Sequence, residues 1–447
     1  MLTVDPLFTE LRRSEYSRLD AEGEAYLDFT GSGLYANRQI DAHADRLKRF
    51  VFGNPHSENG PSLLSTDAID RARQAVLDFL DASPDDYVVC FTANTSAAIK
   101  LVAESYPFGR SGGLVLTADN HNSMNGVREF ARARGARVDY VHLDDDLRLA
   151  EPREALSNCA ASGGGLFGYP AQSNFTGVRH SLDLIEDAHA LGLDVLIDAA
   201  AYLPTSRFSL SRHPADFLVF SGYKILGYPT GVGALVARRD KLEMLKRPWF
   251  AGGTVEYASI QHGTHLLRDA AEGAFEDGTP AFLSIAALVD GFEMLCGIGM
   301  ERIQRHVAHL TAYTLEQLSM LRRDDGGSLV KIYGPEGMAD RGGTIAFNVL
   351  RYDDSSIPFA EVETRARDAG VSLRGGCFCN PGAAEAAFGF LEMDTERCFA
   401  EEGAFSIEKF SRCLGPGVAV GAVRASIGIP TNLRDIERAL DVVRSFG

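Results

Sequence analysis

A lysine and an aspartate are the residues whose types and spacing most clearly suggest chemistry. Lys224 ends the segment Phe220–Lys224, between short apolar stretches and close to several glycines. Asp198 follows the apolar run Val195–Ile197, which is typical of a buried strand, and a carboxylate at such a place needs a positively charged partner. A solvated surface charge is the alternative for any single lysine. Pyridoxal phosphate (PLP) requires this combination, with a lysine for the Schiff base and a carboxylate for the pyridinium nitrogen.

Polar residues that could hold an anionic, aromatic cofactor follow other predicted strands. Thr95 and Ser96 open a helix-like segment, where free backbone N–H groups, the helix dipole and two hydroxyls form an anion site. An ordinary helix cap is the alternative there. His121 can stack on a pyridine ring and transfer protons, because its pKa lies near neutrality, or it can be structural. Asn174 can donate to a phenolic ring oxygen, or it is a turn residue.

The segment Arg374–Gly382 is the second distinctive feature. Its glycines and its proline surround the two thiols of Cys377 and Cys379, and they predict a mobile loop. Arg374 can bind a substrate carboxylate bidentately, and a nearby positive charge favours a nucleophilic thiolate. Arg424, which enters a late predicted strand, is a second carboxylate ligand candidate, with a surface arginine as the alternative.

The cysteines do not predict a metal site. A zinc site is the weaker interpretation of Cys377 and Cys379, because the pair supplies two ligands and no matching pair is nearby in sequence. We therefore predict no metal. The remaining cysteines are expected to be packing residues, and they are Cys90, Cys159, Cys296, Cys398 and Cys413.

Composition restricts the class of protein. The 447 residues are 45% hydrophobic and 23% charged, as in a soluble protein of about two domains. A net charge of −17 argues against non-specific binding to nucleic acid or anionic lipid. No apolar run approaches the roughly 18 residues of a membrane helix, and the N-terminal sequence lacks the features of a signal peptide. Seven scattered cysteines argue against a disulfide framework. We expect a cytoplasmic enzyme with free thiols and no membrane or nucleic-acid partner.

Helix-like and strand-like segments alternate from about residue 65 to about residue 236. This alternation predicts an α/β fold with a largely parallel sheet covered by helices on both faces. Ligands of such sheets bind beyond the carboxyl ends of the strands, where Asp198 and Lys224 fall. A change in composition after about residue 280 predicts a large PLP-binding domain over residues 20–280. A smaller α/β domain over residues 281–447, joined by residues 1–19, would carry the cysteine loop.

Several of these motifs together resemble those of a known family. The chain is similar to class V aminotransferase-fold (fold type I) PLP enzymes of the cysteine desulfurase group, particularly to the N-terminal desulfurase domain of molybdenum cofactor sulfurases. The resemblance runs from Tyr26 to the final helix and implies a large domain with a mainly parallel, seven-stranded sheet. The most similar segments are His121–Ser123, Gly126–Glu129, Pro170–Gly177, Asp198–Ala201 and Gly376–Gly382.

The resemblance also implies roles for single residues. Lys224 would carry the Schiff base, Asp198 would hold the pyridinium nitrogen and His121 would stack on the ring. Phosphate would be bound by Thr95, Ser96 and Ser221 of one subunit and by Thr279 of the neighbouring subunit, so that a homodimer is expected. Cys379 aligns with the persulfide-carrying cysteine, and Arg374 and Arg424 align with carboxylate-binding arginines.

The chain departs from the family pattern at three positions. Tyr223 precedes the lysine, where many desulfurases have histidine, and Ala201 replaces a common glutamine, as it does in the sulfurases. Ala384 stands where sulfurases often show a further cysteine. The sequence ends at Gly447, before the C-terminal domain that engages the molybdenum cofactor in longer relatives. The sulfur acceptor therefore stays open.

The expected function is PLP-dependent cleavage of the C–S bond of L-cysteine, which gives alanine and an enzyme persulfide. Cys379 is the expected sulfur carrier, with Cys377 as the alternative. Other open functions are a C–S lyase acting on cysteine S-conjugates, a class V aminotransferase or epimerase, and a scaffold without activity. The expected partners are the amino acid substrate, a sulfur-acceptor protein and a second copy of the chain.

Overall fold

The computed structural model describes residues 5–161, 163–269, 271–400, 403–415 and 417–447. The strands are β1 (Ala25–Tyr26), β2 (Tyr87–Thr92), β3 (Gly113–Thr117), β4 (Arg137–Val141), β5 (Gly165–Pro170), β6 (Leu193–Asp198), β7 (Phe217–Ser221), β8 (Gly233–Arg238), β9 (Val255–Ser259), β10 (Thr264–Leu267), β11 (Val330–Tyr333), β12 (Thr344–Val349), β13 (Val371–Ser372), β14 (Arg374–Gly376) and β15 (Ala422–Ser426).

The helices lie between and around these strands. They are α1 (Pro6–Glu15), α2 (Arg18–Glu22), α3 (Asn37–Arg49), α4 (Gly60–Phe79), α5 (Thr95–Ser105), α6 (Asn122–Asn125), α7 (Val127–Ala133), α8 (Pro152–Ala160), α9 (Leu184–Ala190), α10 (Gly222–Leu226), α11 (Arg239–Met244), α12 (Phe282–Ala286), α13 (Leu288–Ile298), α14 (Met300–Met320), α15 (Phe359–Asp368), α16 (Pro381–Phe388), α17 (Glu392–Phe399), α18 (Ile407–Leu414) and α19 (Leu433–Arg444).

The larger sheet has seven strands in the order β2-β8-β7-β6-β5-β3-β4. The strands from β7 to β4 are parallel, whereas β8 runs antiparallel to both of its neighbours. Every residue of β6 and β7 is buried, as expected of strands covered on both faces. The predicted α/β fold with a mainly parallel, seven-stranded sheet is therefore confirmed.

The register of this sheet brings the predicted cofactor residues to one edge. Pro170 at the end of β5 pairs with Asp198 at the end of β6, and Asp198 pairs with Val219 of β7. Lys224 follows in the short helix α10. Since parallel strands end at the same edge, the segments after β3, β5, β6 and β7 meet there.

The second sheet has four antiparallel strands in the order β11-β12-β15-β14. The predicted mobile loop is wrong for its first residues, because Arg374–Gly376 forms the edge strand β14, paired in register with β15. The N-terminal segment also joins this part, since β1 pairs with β13 and Asp28 bridges to Ser426. The seven-stranded and the four-stranded sheet each lie within one of the two predicted domains, whereas the β1-β13 pair joins residues of both. The division near residue 280 stays a prediction.

Three helices, α12 to α14, follow the change in composition near residue 280. α13 ends at Gly299, whose φ of +89° belongs to the region that favours glycine. Among the described residues, no single helix is long and apolar enough to cross a membrane, although the bent pair Phe282–Ile298 and Met300–Met320 passes that test by length and composition.

The cysteine predictions need two corrections. Cys398 and Cys413 are joined by a disulfide, because α17 and α18 pack against each other and bring the two thiols together. The odd number of cysteines in the sequence did not reveal this local pair. Cys296 is exposed and is not a packing residue. Cys90 and Cys159 are buried, as predicted.

Candidate active site

A cavity of about 220 Å³ opens at the carboxyl edge of the larger sheet. Most of the predicted cofactor residues line it, namely Thr95, Ser96, His121, Asn174, Asp198, Ser221 and Lys224, together with Asn94, Ser123, Pro170, Gln172, Ala200, Ala201 and Tyr223. Arg374, Cys379, Arg424 and Thr279 are not among its lining residues.

Lys224 and Asp198 lie in the same cavity, as the sequence predicts. Burial lowers the pKa of the Lys224 amine, and Asp198 opposes this shift. The Nζ atom of Lys224 makes no hydrogen bond to another described residue. Asp198 is buried, and its Oδ1 accepts a hydrogen bond of 3.0 Å from the backbone N–H of Ala200. The structure thus provides a desolvated amine whose neutral form is favoured, next to a fixed carboxylate.

Hydroxyl groups cluster at the N-terminus of α5. The side chain of Asn94 accepts from the backbone N–H of Ala97 at 3.0 Å and caps this helix. The Oγ of Ser221 lies 2.9 Å from the backbone N of Thr95 and 2.7 Å from its Oγ1. Ser96 pairs through its hydroxyl with Ser123 at 2.5 Å. The hydroxyls and the dipole of α5 together suit a phosphate.

Sequence reasoning missed Ser123 as a member of this cluster. The residue stands two positions after His121, within a motif that the sequence had already singled out. Its hydroxyl reaches Ser96 because α6 begins directly after His121 and turns Ser123 towards α5.

His121 lies half-buried beside the same cavity and caps α6. Its Nδ1 accepts a hydrogen bond of 3.1 Å from the backbone N–H of Ser123, which leaves the proton of the neutral ring on Nε2. Burial lowers the pKa of His121, and the charges of Lys224 and Arg424 lower it further against the effect of Asp198. The ring is therefore neutral near pH 7. Its stacking on a cofactor stays a prediction.

Asn174 connects the cavity to the segment Arg374–Gly382, called the cysteine segment below. Its Nδ2 donates to the backbone oxygen of Phe378 at 2.7 Å, and its Oδ1 accepts from Nδ2 of Asn380 at 2.9 Å. The predicted bond of Asn174 to a ring oxygen is untested. The structure gives its amide a second use, which is to hold the segment that carries both loop thiols.

The second half of the predicted loop is anchored rather than mobile. Asn380 is completely buried, donates to the backbone oxygen of Asp119 at 2.6 Å and caps α16. A Cβ at Gly382 would lie 2.2 Å from the backbone oxygen of Ala118, so that only glycine permits this contact. Asn380–Gly382, predicted as part of a mobile loop, are the cap and the start of helix α16. The left-handed φ angles of +55° at Phe378 and Cys379 mark the irregular part of the segment.

The two thiols differ in their surroundings. The Sγ of Cys377 donates to the backbone oxygen of Val420 at 3.3 Å, and burial raises the pKa of this thiol to about 11. Cys379 is exposed, and its backbone oxygen accepts from the N–H of Asn122 at 2.7 Å, next to His121. These differences favour Cys379 as the reactive thiol.

Arg374 and Arg424 share a partner that the sequence reasoning missed. Asp28 forms ion pairs with Arg374 at 2.6 Å and with Arg424 at 3.0 Å. Arg424 is buried and lies 4.7 Å from the ring centre of Phe378 in the cysteine segment. The assignment of both arginines to a substrate carboxylate stays a prediction. The only hint of this partner in the sequence was the carboxylate in Tyr26-Leu27-Asp28, at the start of the region that resembles the family.

Thr279 lies outside the lysine cavity. It lines a separate cavity of about 400 Å³ with Ala93 and Ala97, next to the start of α5, and its Oγ1 lies 3.4 Å from Nδ2 of Asn54. The assignment of Thr279 to a neighbouring subunit therefore stays a prediction. Among the residues that the structure describes, no group of three or more His, Cys, Asp or Glu side chains could hold a metal ion.

Comparisons with known proteins identify the family. A family model for the aminotransferase class-V proteins matches residues 25–439. The chain belongs to this family. It is 34% identical to the molybdenum cofactor sulfurase of Arabidopsis thaliana over 98% of the chain, and 36% identical to that of Drosophila erecta over 99%. The chain spans about three fifths of the length of these relatives.

Solved structures confirm the fold. An apo cysteine desulfurase of Thermococcus onnurineus superposes with a TM-score of 0.79 at 24% identity, covering 100% of this chain and 98% of that one. The cysteine desulfurase CsdA of Escherichia coli gives a TM-score of 0.78 at 19% identity, covering 98% of both chains. A lysine-to-alanine variant of C-DES, with glycine covalently linked to its PLP cofactor, gives 0.74 at 17% identity, covering 98% of this chain and 99% of that one.

The residues present fit PLP. The amine of Lys224 is buried and has no hydrogen-bonding partner within the described chain, Asp198 is the adjacent carboxylate, and the hydroxyl cluster at α5 suits a phosphate. Family and site together indicate PLP as the cofactor, as the sequence predicts.

The two loop thiols should react at different rates. At pH 8 a thiol with a pKa of about 11 is ionised in only about one molecule per thousand, so Cys377 should be alkylated far more slowly than Cys379. Iodoacetamide labelling of the native protein, followed by peptide mass spectrometry over time, measures both rates. In the loop peptide, Cys377→Ser should retain the fast phase of labelling and Cys379→Ser should lose it, while the exposed Cys296 is followed in its own peptide. Equal rates at both thiols would contradict the burial of Cys377.

Proposed function

We propose that this chain is a PLP-dependent cysteine desulfurase-like enzyme, which cleaves the C–S bond of L-cysteine to give alanine and a persulfide on Cys379. The main support is the exposed thiol of Cys379, whose backbone oxygen is held by Asn122, the neighbour of His121, which lines the cavity together with Lys224 and Asp198. The names of the sequence relatives and structural neighbours, sulfurases and desulfurases, agree with this chemistry.

The residues of the cavity would share the work of holding the cofactor. Asp198 would hold the pyridine nitrogen, and Thr95, Ser96 and Ser221 would bind the phosphate. PLP, when bound, supplies an electron-accepting ring that stabilises negative charge at the substrate Cα. The lowered pKa of Lys224 leaves its amine able to take a proton from Cα and to return it.

Cys379 completes the reaction. Its thiolate attacks the sulfur of the substrate, the C–S bond breaks, and the bonding electrons remain with the carbon skeleton, which takes up a proton to become alanine. The transferred sulfur stays on Cys379 as a persulfide. Because hydrogen bonds anchor the backbone of the segment, any movement of Cys379 during the reaction is confined to the residues near Phe378 and Cys379.

A C–S lyase is the second candidate, because a cystine C–S lyase in complex with cysteine persulfide shares the fold with a TM-score of 0.72. Such an enzyme would use Lys224 in the same way and would not need Cys379. Products separate the candidates. Alanine with enzyme-bound sulfur indicates desulfuration, pyruvate with ammonia and a thiol indicates elimination, and a keto acid indicates transamination. Racemised substrate would indicate an epimerase.

The remaining proposals concern partners and location. We propose a homodimer, and the exposed apolar side chains of Trp249, Phe250, Tyr257, Ile260 and Leu266 support it. A sulfur-acceptor protein would accept the persulfide sulfur. The cytoplasmic location and the absence of nucleic-acid and membrane partners remain predictions from the sequence.

Replacement of Lys224 tests the role of the amine. Lys224→Ala should lower turnover by on the order of 10²–10⁴-fold or more, because no other amine takes the place of Lys224 as the base. The absorbance band of lysine-bound PLP should disappear, although PLP can remain bound without a covalent bond through the phosphate residues. Lys331→Ala, which removes an exposed lysine of β11, is the control and should turn over normally. Wild-type turnover by Lys224→Ala would refute the mechanism.

Replacement of the two thiols tests the function itself. Cys379→Ser should abolish persulfide formation and alanine release while PLP binding is retained, whereas Cys377→Ser should slow the reaction by roughly severalfold at most. Alanine and protein-bound sulfur are measured after addition of L-cysteine. The opposite result would exchange the roles of the thiols. If neither substitution reduces C–S cleavage, the lyase is the correct function.

Thr279 tests the dimer. If it reaches the phosphate of the neighbouring subunit, Thr279→Val should lose a charge-assisted hydrogen bond of about 1.5–3 kcal/mol and raise the Kd of PLP roughly tenfold or more. Thr395→Val is the control. Mixed dimers with Lys224→Ala should restore tight binding in one site, which then contains Lys224 of one subunit and Thr279 of the other. A fully active monomer would contradict the arrangement.

A further inference from the structure

Arg374 and Arg424 lie directly opposite each other on the paired strands β14 and β15. Residues at such positions point to the same face of a sheet, and like charges there destabilise the pair. One of the two cations is buried, since Arg424 is only 2% exposed, whereas 48% of the side chain of Arg374 is accessible. The pair therefore needs a negative charge.

Asp28 supplies this charge from the N-terminal segment. It accepts hydrogen bonds from Nε and Nη2 of Arg374 at 2.9 Å and 2.6 Å, and from Nη2 of Arg424 at 3.0 Å. Asp28 is 8% exposed, and it is the only carboxylate within ion-pairing distance of either arginine in the described part of the chain. One carboxylate thus holds both guanidinium groups.

The backbone leaves space for this contact. A Cβ at Gly31 would lie 2.4 Å from Oδ2 of Asp28 and 2.6 Å from Nη2 of Arg374. The absence of a side chain at residue 31 is therefore a condition for the ion pair. Gly31 also donates its backbone N–H to the backbone oxygen of Asp28 at 3.0 Å, which fixes the turn that carries the carboxylate.

The bonds to Asp28 leave a defined set of donors free. Asp28 uses Nε and Nη2 of Arg374, and the described chain provides no hydrogen-bonding partner for Nη1 of this residue. Since a guanidinium has five N–H donors, the Nη1 side of Arg374 can still bind a second carboxylate bidentately. Arg424 instead spends Nη1 on the backbone oxygen of Asn174 at 2.9 Å.

We infer that Asp28 is the positioning residue of the substrate carboxylate site. It orients Arg374 and Arg424, and it reduces two adjacent positive charges to the single net charge that one α-carboxylate neutralises. Arg374, which has no other hydrogen-bonding partner in the described chain, is the arginine that Asp28 keeps ready for the substrate. This inference rests on the proposed function, because it takes an amino acid as the substrate.

The ligand pair L-alanine and ethylamine isolates this role, because the two amines differ by the carboxylate. With the PLP-loaded Asp28→Asn variant, the Kd of L-alanine, followed by the absorbance of the bound cofactor, should rise about tenfold, the ratio that corresponds to about 1.4 kcal/mol. The Kd of ethylamine should stay unchanged. The KM for L-cysteine should rise by a similar factor, while kcat changes little.

Asp20→Asn is the matched control. Asp20 accepts from Nε and Nη2 of Arg12, the same side of a guanidinium, and it lies outside the lysine cavity. Its replacement should leave both dissociation constants unchanged. An unchanged Kd of L-alanine in Asp28→Asn would overturn the inference. A lower Kd would overturn it as well, because Asp28 would then be a competitor of the substrate carboxylate.

A further variant keeps the inference testable if Asp28→Asn folds poorly. Gly31→Ala retains every charge but displaces the ion pair. It should also raise the Kd of L-alanine and leave the Kd of ethylamine unchanged. In a double-mutant cycle, Asp28→Asn should add little to Arg374→Gln, because Asp28 acts through that arginine. Additive effects would contradict this. If the wild-type protein binds L-alanine but releases no alanine from L-cysteine, the proposed function fails while the role of Asp28 is still tested.

Discussion

A buried pair of amides holds the site together. Asn380 donates to the side chain of Asn174 and to the backbone of Asp119, and Asn174 donates back to Phe378. These bonds fix the cysteine segment, which follows strand β14 of the second sheet, against the carboxyl edge of the first sheet. Because an unpaired amide in this environment would cost about 1–3 kcal/mol, the bonds are also costly to break. The position of Cys379 relative to the lysine cavity depends on them.

The site contains several positively charged side chains although the whole chain is strongly acidic. The protein carries a net charge of −17, yet the charges that act on Lys224 include those of Arg374 and Arg424, which are opposed by those of Asp198 and Asp28. Burial and the neighbouring arginines lower the pKa of Lys224, and burial with the neighbouring cations lowers that of His121. Both groups are thereby favoured as neutral bases, while the arginines remain available to an anionic substrate.

The two thiols show how burial assigns roles to similar residues. Cys377 and Cys379 are separated by one residue, but the sulfur of Cys377 is hydrogen-bonded to a backbone oxygen and burial raises its pKa, whereas Cys379 is exposed. The left-handed backbone at Phe378 and Cys379 turns the chain between them, so that one thiol faces the interior and the other is exposed. The spacing of the cysteines alone did not distinguish them.

The sequence by itself determined the mainly parallel sheet and the place of the candidate cofactor residues at its edge, because both follow from local patterns. Apolar runs predict buried strands, and Asp198 and Lys224 follow such runs directly, so that their place at the sheet edge follows from strand direction. Contacts between distant segments were decided only by the tertiary structure. Asp28 meets Arg374 and Arg424 across 346 and 396 residues of chain, and Asn174 meets Asn380 across 206. No periodicity or motif encodes such pairs. The Asp28 pairs form only when the N-terminal segment packs on the second sheet, and the Asn174–Asn380 pair forms only when the cysteine segment packs on the first sheet.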